Sequence, residues 1–325
     1  MGLLEYLLIV IGLCLFEVVS SVDNAIINAD VLGTMRPKYR RWFLVWGIII
    51  GVFVIRGLLP WLIVWVTTPG LGPIEALIAT FSNNPEVHKA IESSAPILLV
   101  GGGIYLLFLF FHWWFVEPKN YGLVGERFVH KKAVWFFAVV SAILSIVIWY
   151  SIKINPLMAF GAVLGSTAFF ITHGFKQNAE HQEISLKKKG LTDISKIFYL
   201  EVIDATFSID SVLGAFAFTL SVPLILLGNG LGAIIVRQLT IQGVDELKKY
   251  AYLKNGAMYS ICFLGGVMLL DSFGYHIPSW LSPVITFVIV GYFFWKSKKA
   301  IIKKELVEFG HELKDYHPEL AKRKK

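Results

Sequence analysis

The sequence predicts an all-α fold, a polytopic bundle of membrane-spanning helices that contains an inverted internal repeat. Of its 325 residues, 56% are hydrophobic and 16% are charged, whereas a soluble globular domain has about 25% charged residues. Apolar stretches of about twenty residues recur, and each could cross a hydrocarbon core of about 30 Å as a helix. The composition therefore argues against a soluble domain, and the lipid bilayer is the expected partner.

Nine apolar segments are long enough to span a membrane, and the basic residues support this count. The segments are 3–32, 42–65, 95–115, 133–152, 156–175, 197–220, 222–240, 252–270 and 280–295. One set of alternate loops holds the basic residues of 36–41, 119–132, 176–196 and 248–254, whereas the other set holds only Lys89 and Lys153. Because cytoplasmic loops are enriched in lysine and arginine, the N-terminus is predicted to be outside and the C-terminus cytoplasmic. These loops also explain the formal net charge of +7, so nucleic acid is not an expected partner.

The predicted topology divides the chain into four regions. They are a first membrane repeat at 1–115, a connecting region with two transmembrane helices at 116–196, a second membrane repeat at 197–270, and a last transmembrane helix with a basic cytoplasmic tail at 271–325. Residues 67–94 are long for a loop and contain the apolar patch IEALIATF, which could lie at the interface or re-enter the membrane.

Two spans carry the same acidic motif, EVVSSVDNA at 17–25 and EVIDATFSIDS at 201–211. Aligning SSVDN with FSIDS sets four pairs of polar residues against each other: Glu17 and Asp204, Ser21 and Ser208, Asp23 and Asp210, and Asn24 and Ser211. The next helix repeats as well, since GIIIGVFVIR ends at Arg56 and GNGLGAIIVR ends at Arg237. The predicted topology sends the two motif spans through the membrane in opposite directions. Inverted repeats of this kind are typical of secondary transporters with a site near the bilayer midplane.

Five acidic side chains are predicted to lie inside spans, where a charge costs about 2.5–3.5 kcal/mol on insertion scales. They are Glu17, Asp23, Glu201, Asp204 and Asp210. Arg56 and Arg237 can neutralise two of them, and protons or mobile cations must then balance the other three. The acids and the neighbouring amide and hydroxyl groups offer oxygen ligands, which suit Mg²⁺, Ca²⁺ or Mn²⁺; the neighbours are Ser20, Ser21, Asn24, Ser208 and Ser211. A competing interpretation is that the acids pair with the two arginines and only hold the bundle together.

The depth of each acid along its helix predicts which acids meet. Antiparallel packing would pair Glu17 with Asp210 and Asp23 with Asp204. On a straight helix, however, Glu17 and Asp23 would face directions about 120° apart. Helix breaks are therefore expected at Ser20–Ser21 and within Thr206–Ser208, where freed carbonyl groups could also bind an ion.

Other polar residues of the spans have simpler interpretations. Asn229, in the GNG turn of the seventh span, is expected to donate an interhelical hydrogen bond rather than to bind metal. His112 and His173 fall near predicted span ends and are interpreted as interfacial. The triplet Gly101–Gly103 is expected to allow close helix packing.

The two acidic motifs resemble those of the TerC family of integral membrane proteins, which belongs to the LysE-type transporter superfamily. GNGLGAIIVRQL, YLKNGAMYSICFLGGVMLL and APILLVGGGIYLLF are also similar to segments of that family, and the resemblance covers about residues 10–115 and 197–270. It implies manganese(II) export, with links to metal homeostasis and tellurite resistance. The metal residues that it implies are Glu17, Asp23, Asn24, Glu201, Asp204, Asp210 and Ser211, supported by Ser21, Ser208, Arg56, Arg237 and Asn229.

These observations together predict a multi-pass exporter of a divalent cation, with Mn²⁺ as first choice, in a prokaryotic cytoplasmic membrane. No prosthetic group and no enzymatic activity are expected, since an intramembrane aspartyl protease would need a GxGD motif that the sequence lacks. Two alternatives stay open: an exporter of an amino acid or another small cation, and a non-transporting scaffold of a metal or tellurite stress complex. A homo-oligomer is compatible with either.

Overall fold

A computed structural model of the chain describes residues 2–67, 70, 72–76, 85–130, 132–186, 192–242 and 244–316. Within these ranges all regular secondary structure is helical. The helices are α1 Leu3–Ser20, α2 Val22–Gly33, α3 Pro37–Ile48, a π-helix Ile49–Ile55, α4 Arg56–Thr67, α5 Pro85–Phe115, α6 Glu126–His130, α7 Trp135–Ile154, α8 Pro156–Leu186, α9 Asp193–Ala215, α10 Val222–Gln242, α11 Val244–Lys249, α12 Leu253–Ser272 and α13 Leu281–Tyr316.

Seven helical stretches of the described residues are long and apolar enough to cross a membrane. They are Leu3–Ser20, Pro37–Ile63, Ser93–Phe115, Trp135–Ile154, Pro156–Gln177, Val222–Thr240 and Leu253–Ser272, and each coincides with a predicted span. The predicted spans 197–220 and 280–295 also form helices, in α9 and the first part of α13. They are less apolar, because α9 carries acids and α13 soon continues into lysines. The chain is thus an all-helical protein with seven candidate spans, and nine spans stay a prediction.

The segment 67–94 lies only partly within the described residues. Helix α5 already begins at Pro85, so the end of this segment continues into the third candidate span. The rest of the apolar patch, from 77 to 81, lies outside the described residues.

Helix breaks occur in only one of the two acidic motifs. In the first motif α1 ends at Ser20 and α2 begins at Val22, with Ser21 between them at φ −92° and ψ 7°. The break predicted there is confirmed. Helix α9 runs without a break through Thr206–Ser208, and the second predicted break is wrong.

The serine and threonine hydroxyls in this part of α9 find acceptors within the intact helix. The hydroxyl of Thr206 donates to the carbonyl of Val202 at 2.9 Å, and that of Ser208 donates to the carbonyl of Asp204 at 2.6 Å. Such bonds satisfy the hydroxyl within the helix itself, although they can bend it slightly.

Glycines set the closest helix contacts in the bundle core. A Cβ on Gly101 of α5 would lie 2.8 Å from the carbonyl oxygen of Gly161 of α8, and a Cβ on Gly103 would lie 3.0 Å from the carbonyl oxygen of Gly265 of α12. The helix packing predicted for Gly101–Gly103 is confirmed. These three helices contribute to one apolar core, which also contains residues of the motif helices α1 and α9.

Candidate functional site

The acids of the two motifs fall into two separate groups, which we call the arginine network and the aspartate cavity. The arginine network consists of Glu17, Asn24, Arg56, Glu201, Asp204 and Arg237. The aspartate cavity contains Asp23 and Asp210, with partners from α5, α8 and α12. The break at Ser21 does not bring Glu17 and Asp23 to one site, in keeping with the different directions expected from their spacing.

Arg56 links the two motifs inside the network. Its Nη2 donates to Glu17 Oε1 at 2.6 Å, and its Nη1 lies 3.5 Å from Asp204 Oδ2. Nη1 also donates to the carbonyl of Gly51 at 2.9 Å, where the helix widens into its π-helical turn. Such turns are frequent at functional sites. Glu17 is fully buried and Arg56 is 3% exposed, so this ion pair is closed to solvent.

Arg237 holds the second motif from the other side. Its Nη2 donates to Asp204 Oδ2 at 3.2 Å and lies 3.5 Å from both carboxylate oxygens of Glu201. Its Nη1 donates to the carbonyl of Phe43 at 3.2 Å, and the guanidinium lies 4.6 Å from the centroid of that ring. Asn24 Nδ2 completes the set by donating to Asp204 Oδ1 at 2.6 Å. Asp204 therefore accepts hydrogen bonds both from Asn24 of the first acidic motif and from Arg237.

The GxxxG glycines make room for this network. A Cβ on Gly51 would lie 2.6 Å from both Arg237 Nη2 and Asp204 Oδ2, and a Cβ on Gly47 would collide with Arg237 and Glu201. In the second copy, a Cβ on Gly232 would lie 2.6 Å from the Cβ of Glu17. Both copies of the motif thus let a helix approach an acidic side chain, beyond the general helix packing that GxxxG indicates.

The aspartate cavity has a volume of about 490 Å³. On one side Lys254 Nζ lies 2.7 Å from Asp23 Oδ2 and 2.9 Å from Glu117 Oε2. On the other side Asp210 forms an ion pair with Lys176 and accepts a hydrogen bond from the hydroxyl of Tyr105. The two aspartates occupy equivalent positions in the two motifs and face the same space.

Two histidines line the same cavity. The rings of His112 and His173 have centroids 3.9 Å apart, and His112 Nδ1 lies 3.4 Å from Glu117 Oε1. Helices α5 and α8 thus bring the two rings together beside the acids, and the interpretation of both histidines as interfacial stays a prediction. The sequence signal for the cavity is the i, i+3 spacing of His173 and Lys176, which places both side chains on one face of a helix.

The loop after α5 supplies charged groups whose pKa values are shifted. Burial raises the pKa of the Glu117 carboxyl, but the hydrogen bond with His112 and the charge of Lys254 outweigh it and hold the pKa below its usual range. Burial lowers the pKa of Lys119 to about 8, while Glu126 and Glu117 act in the opposite direction. Lys119 Nζ donates to the carbonyl of Trp113 at 2.7 Å and to that of Trp114 at 2.5 Å. This loop is thus folded onto the bundle and forms one wall of the cavity.

Several predictions about the acids are corrected by this geometry. Glu17 does not pair with Asp210, nor Asp23 with Asp204, because Asp23 turns away and its neighbour Asn24 contacts Asp204 instead. The expected surplus of three uncompensated charges is also wrong. Lys176 and Lys254 come from helices outside the motifs, so each of the five acids contacts a cation, and the four cations reduce the surplus from three charges to one.

The seven predicted metal ligands do not gather around one point. Among the residues that the structure describes, no group of three or more His, Cys, Asp or Glu side chains is arranged to hold a metal ion. Ser211 Oγ donates to the carbonyl of Ser208 at 3.0 Å, and the carbonyl of Ser211 accepts from Asn229 Nδ2 at 3.3 Å. The interhelical hydrogen bond predicted for Asn229 is confirmed.

Some buried polar atoms of this region have no hydrogen-bond partner. They are Glu17 Oε2, Asn24 Oδ1, Arg56 Nε and Asn229 Oδ1. Ser21 Oγ instead donates to Glu17 Oε1 at 2.9 Å. Both donor and acceptor atoms are thus left unsatisfied beside the ion pairs of the network.

Comparisons with known proteins give one result. Residues 22–303 match a protein family described as "Protein of unknown function (DUF475)". A search of curated proteins and a search of solved structures each returned no match. The matched range includes both cavity aspartates, both network arginines and the four lysine and histidine residues of the cavity. The chain therefore belongs to the DUF475 family.

Proposed function

We propose that this protein exports a divalent metal cation, with Mn²⁺ as first choice, and that Asp23 and Asp210 receive the cation in the aspartate cavity. One observation carries the proposal. Two aspartates at equivalent positions of two similar motifs line a single cavity of about 490 Å³, and the cations that neutralise them belong to neither motif. Carboxylates within membrane-spanning helices mark substrate or ion pathways by default.

The contacts of the two motifs support an inverted repeat. Arg56 pairs with Glu17 and Arg237 pairs with Asp204, which are equivalent ion pairs under the alignment of the motifs. The equivalent glycines behave alike, since Gly51 faces Asp204 and Gly232 faces Glu17.

Contacts between α1–α2 and α9 support their opposite direction. Phe16 packs on Gly214, whereas Asn24 contacts Asp204. Later residues of α1–α2 therefore contact earlier residues of α9, as they do when two segments run in opposite directions. Rocking of two such repeats about a site between them is the usual basis of alternating access.

The position of the cavity supports uptake from the cytoplasmic side. Glu117 follows the end of α5, Lys176 lies in the last part of the fifth candidate span, and Lys254 lies in the first turn of α12. All three adjoin the loops that carry the basic residues, and these loops are cytoplasmic by the positive-inside rule. The resting structure would therefore present its cavity to the cytoplasm, as an exporter that awaits cargo would.

The ligand chemistry favours Mn²⁺ among divalent ions. Carboxylates suit Mg²⁺, Ca²⁺ and Mn²⁺ alike, whereas imidazole groups such as those of His112 and His173 favour transition metals. Mn²⁺ is a transition-metal ion that also accepts carboxylate ligands, so it matches a cavity that offers both kinds of ligand. Manganese export also agrees with the resemblance of the motifs to the TerC family.

Transport by purified protein in vesicles tests this proposal. Asp23→Asn and Asp210→Asn should each abolish Mn²⁺ flux, while both variants still insert and purify like the wild type. Asp30→Asn is a matched control, because Asp30 lies on the same helix, is 39% exposed against 38% for Asp23, and also contacts a lysine, Lys248, at 3.1 Å. Undiminished Mn²⁺ flux in both cavity variants would refute the assignment.

A second candidate cargo is a zwitterionic amino acid. The cavity is much larger than one ion and presents ammonium groups as well as carboxylates, so Lys176 or Lys254 could receive a carboxylate and Asp23 or Asp210 an ammonium group. Flux of a labelled amino acid without added metal, lost in Asp210→Asn, would favour this cargo. Flux that requires Mn²⁺ itself would exclude it.

A further inference from the structure

We propose that Lys254 is a tethered cation that occupies the cargo position in the resting cavity and must leave it before a metal ion can bind. The inference rests on the proposed function and names the residue that controls occupancy of that site. It goes further because Lys254 belongs to neither acidic motif and was not among the residues predicted from the sequence.

The geometry of Lys254 is that of a bridging cation. Its Nζ lies 2.7 Å from Asp23 Oδ2 and 2.9 Å from Glu117 Oε2, so one positive charge draws together a carboxylate of the first motif and a carboxylate of the loop after α5. Without the ammonium, the two carboxylates would repel each other across the same gap. A divalent cation could replace it there with the same two oxygens.

The side chain is also able to leave. Lys254 is 33% exposed and Asp23 is 38% exposed, so water reaches the pair and part of the interaction is screened. A lysine has a flexible four-carbon stem and a point charge, whereas an arginine holds its partners in a fixed fork. The network arginines, which are 3% and 5% exposed, lack this freedom.

Competition between Lys254 and cargo has two consequences for transport. Binding is weakened, because a cation must displace an existing partner. Release is helped for the same reason, since Lys254 returns to the carboxylates as the cation leaves. A carrier needs both, because a site that binds too tightly does not turn over.

The test compares Mn²⁺ binding and Mn²⁺ flux at one fixed pH. Free Mn²⁺ is measured by electron paramagnetic resonance with purified protein in detergent, and flux is measured in vesicles. Lys254→Met should bind Mn²⁺ on the order of tenfold more tightly than the wild type, because a positive charge within a few ångströms of the ion is removed. Its flux should fall by a similar factor, since release becomes slow.

Three variants separate this effect from general damage. Lys254→Arg keeps a cation at the site in a side chain that leaves less readily, so it should bind Mn²⁺ no more tightly than the wild type. Lys248→Met removes a lysine of similar exposure that contacts Asp30 outside the cavity, and should change neither quantity. The double variant Asp23→Asn with Lys254→Met should fold, because both charges of the pair are gone, and should lose the tight binding.

The outcomes distinguish the two proposals. Wild-type Mn²⁺ binding that is abolished by Asp23→Asn, together with Lys254→Met binding no tighter than wild type, would overturn the role of Lys254 and leave the proposed function intact. Mn²⁺ binding that is the same in the wild type and in Asp23→Asn would overturn the proposed site itself, and the inference with it.

Discussion

The arginine network and the aspartate cavity contain the same kinds of charge but differ in how those charges are held. In the network, Glu17 is fully buried and is 2.6 Å from an arginine that is itself 3% exposed. In the cavity, Asp23 and Lys254 lie at a similar distance of 2.7 Å but are each about one-third exposed. The network ion pairs are thus closed to bulk solvent, whereas the Asp23–Lys254 pair is open to it. The second ion pair of the cavity, Asp210–Lys176, lies between these cases, with side chains 11% and 12% exposed.

This difference in solvent exposure indicates which acids can exchange their partners. A buried ion pair is strongly destabilised when one member is removed, because the other is left as an uncompensated charge. A solvated pair loses little, because water replaces the missing partner. We therefore interpret the network as a permanent link between the two motifs and the Asp23–Lys254 pair as the contact that can exchange, which is where the proposed function has cargo and lysine alternate.

The strongest test of this comparison removes the central arginine of the network. Arg56→Ala should lower the free energy of unfolding by about 3–5 kcal/mol, because Glu17 and Asp204 would remain buried without it. Unfolding of purified protein by sodium dodecyl sulfate in mild detergent measures the change.

A surface pair of the same chemistry provides the control. Arg36 and Asp193 also lie 2.6 Å apart, but the arginine side chain is 73% exposed, so Arg36→Ala should change the free energy of unfolding far less than Arg56→Ala does. Equal effects of Arg56→Ala and Arg36→Ala would show that burial does not separate the two classes of ion pair.

A second test probes the space that the glycines leave for the network. Gly51→Ala should destabilise the protein by about 1–3 kcal/mol, because the added methyl group would overlap Arg237 and Asp204 in a packed site. Gly57→Ala in the same helical stretch is the control, since its Cβ would meet only Leu226 Cδ1 at an ordinary 3.7 Å. Gly57→Ala should be neutral or slightly stabilising, because alanine favours helix. A Gly51→Ala protein as stable as Gly57→Ala would mean that the network can move aside.

The third test concerns the pH dependence of stability that arises from Lys119, in the loop that forms one wall of the cavity. The pKa of Lys119 is lowered to about 8 by burial, below the value of about 10.4 for an unfolded lysine. Between these values the unfolded chain holds a proton that the folded chain has released, so the free energy of unfolding should rise as pH increases from about 8 to about 10.

Denaturation midpoints across that pH window measure the rise for Lys119. Lys119→Met should remove this contribution, whereas Lys38→Met, at an exposed lysine near Trp42, should keep the wild-type slope. An identical pH slope of stability in Lys119→Met and the wild type would show that Lys119 is solvated. The loop would then not be packed against the bundle as a wall of the cavity.

Helices and their order could be predicted from the sequence, because long apolar stretches, a break at Ser20–Ser21 and the repeated motifs are local or regularly spaced features. The candidate acids were found for the same reason, since a carboxylate in an apolar span is conspicuous. The incorrect predictions concern the partners of these acidic side chains. Glu117, Lys176 and Lys254 sit near span ends, where charged residues are ordinary, and nothing local indicates that their side chains reach toward the aspartates.

What the sequence alone determined about this protein is its all-helical architecture, its candidate membrane spans and the presence of two similar acidic motifs. Only the tertiary structure decided how the acids divide, because one residue of rotation along a helix separates Asn24, which faces Asp204, from Asp23, which faces Lys254. A side chain's neighbours across a helix bundle depend on rotation and depth of several helices at once, and neither quantity is written in the spacing of residues along one of them.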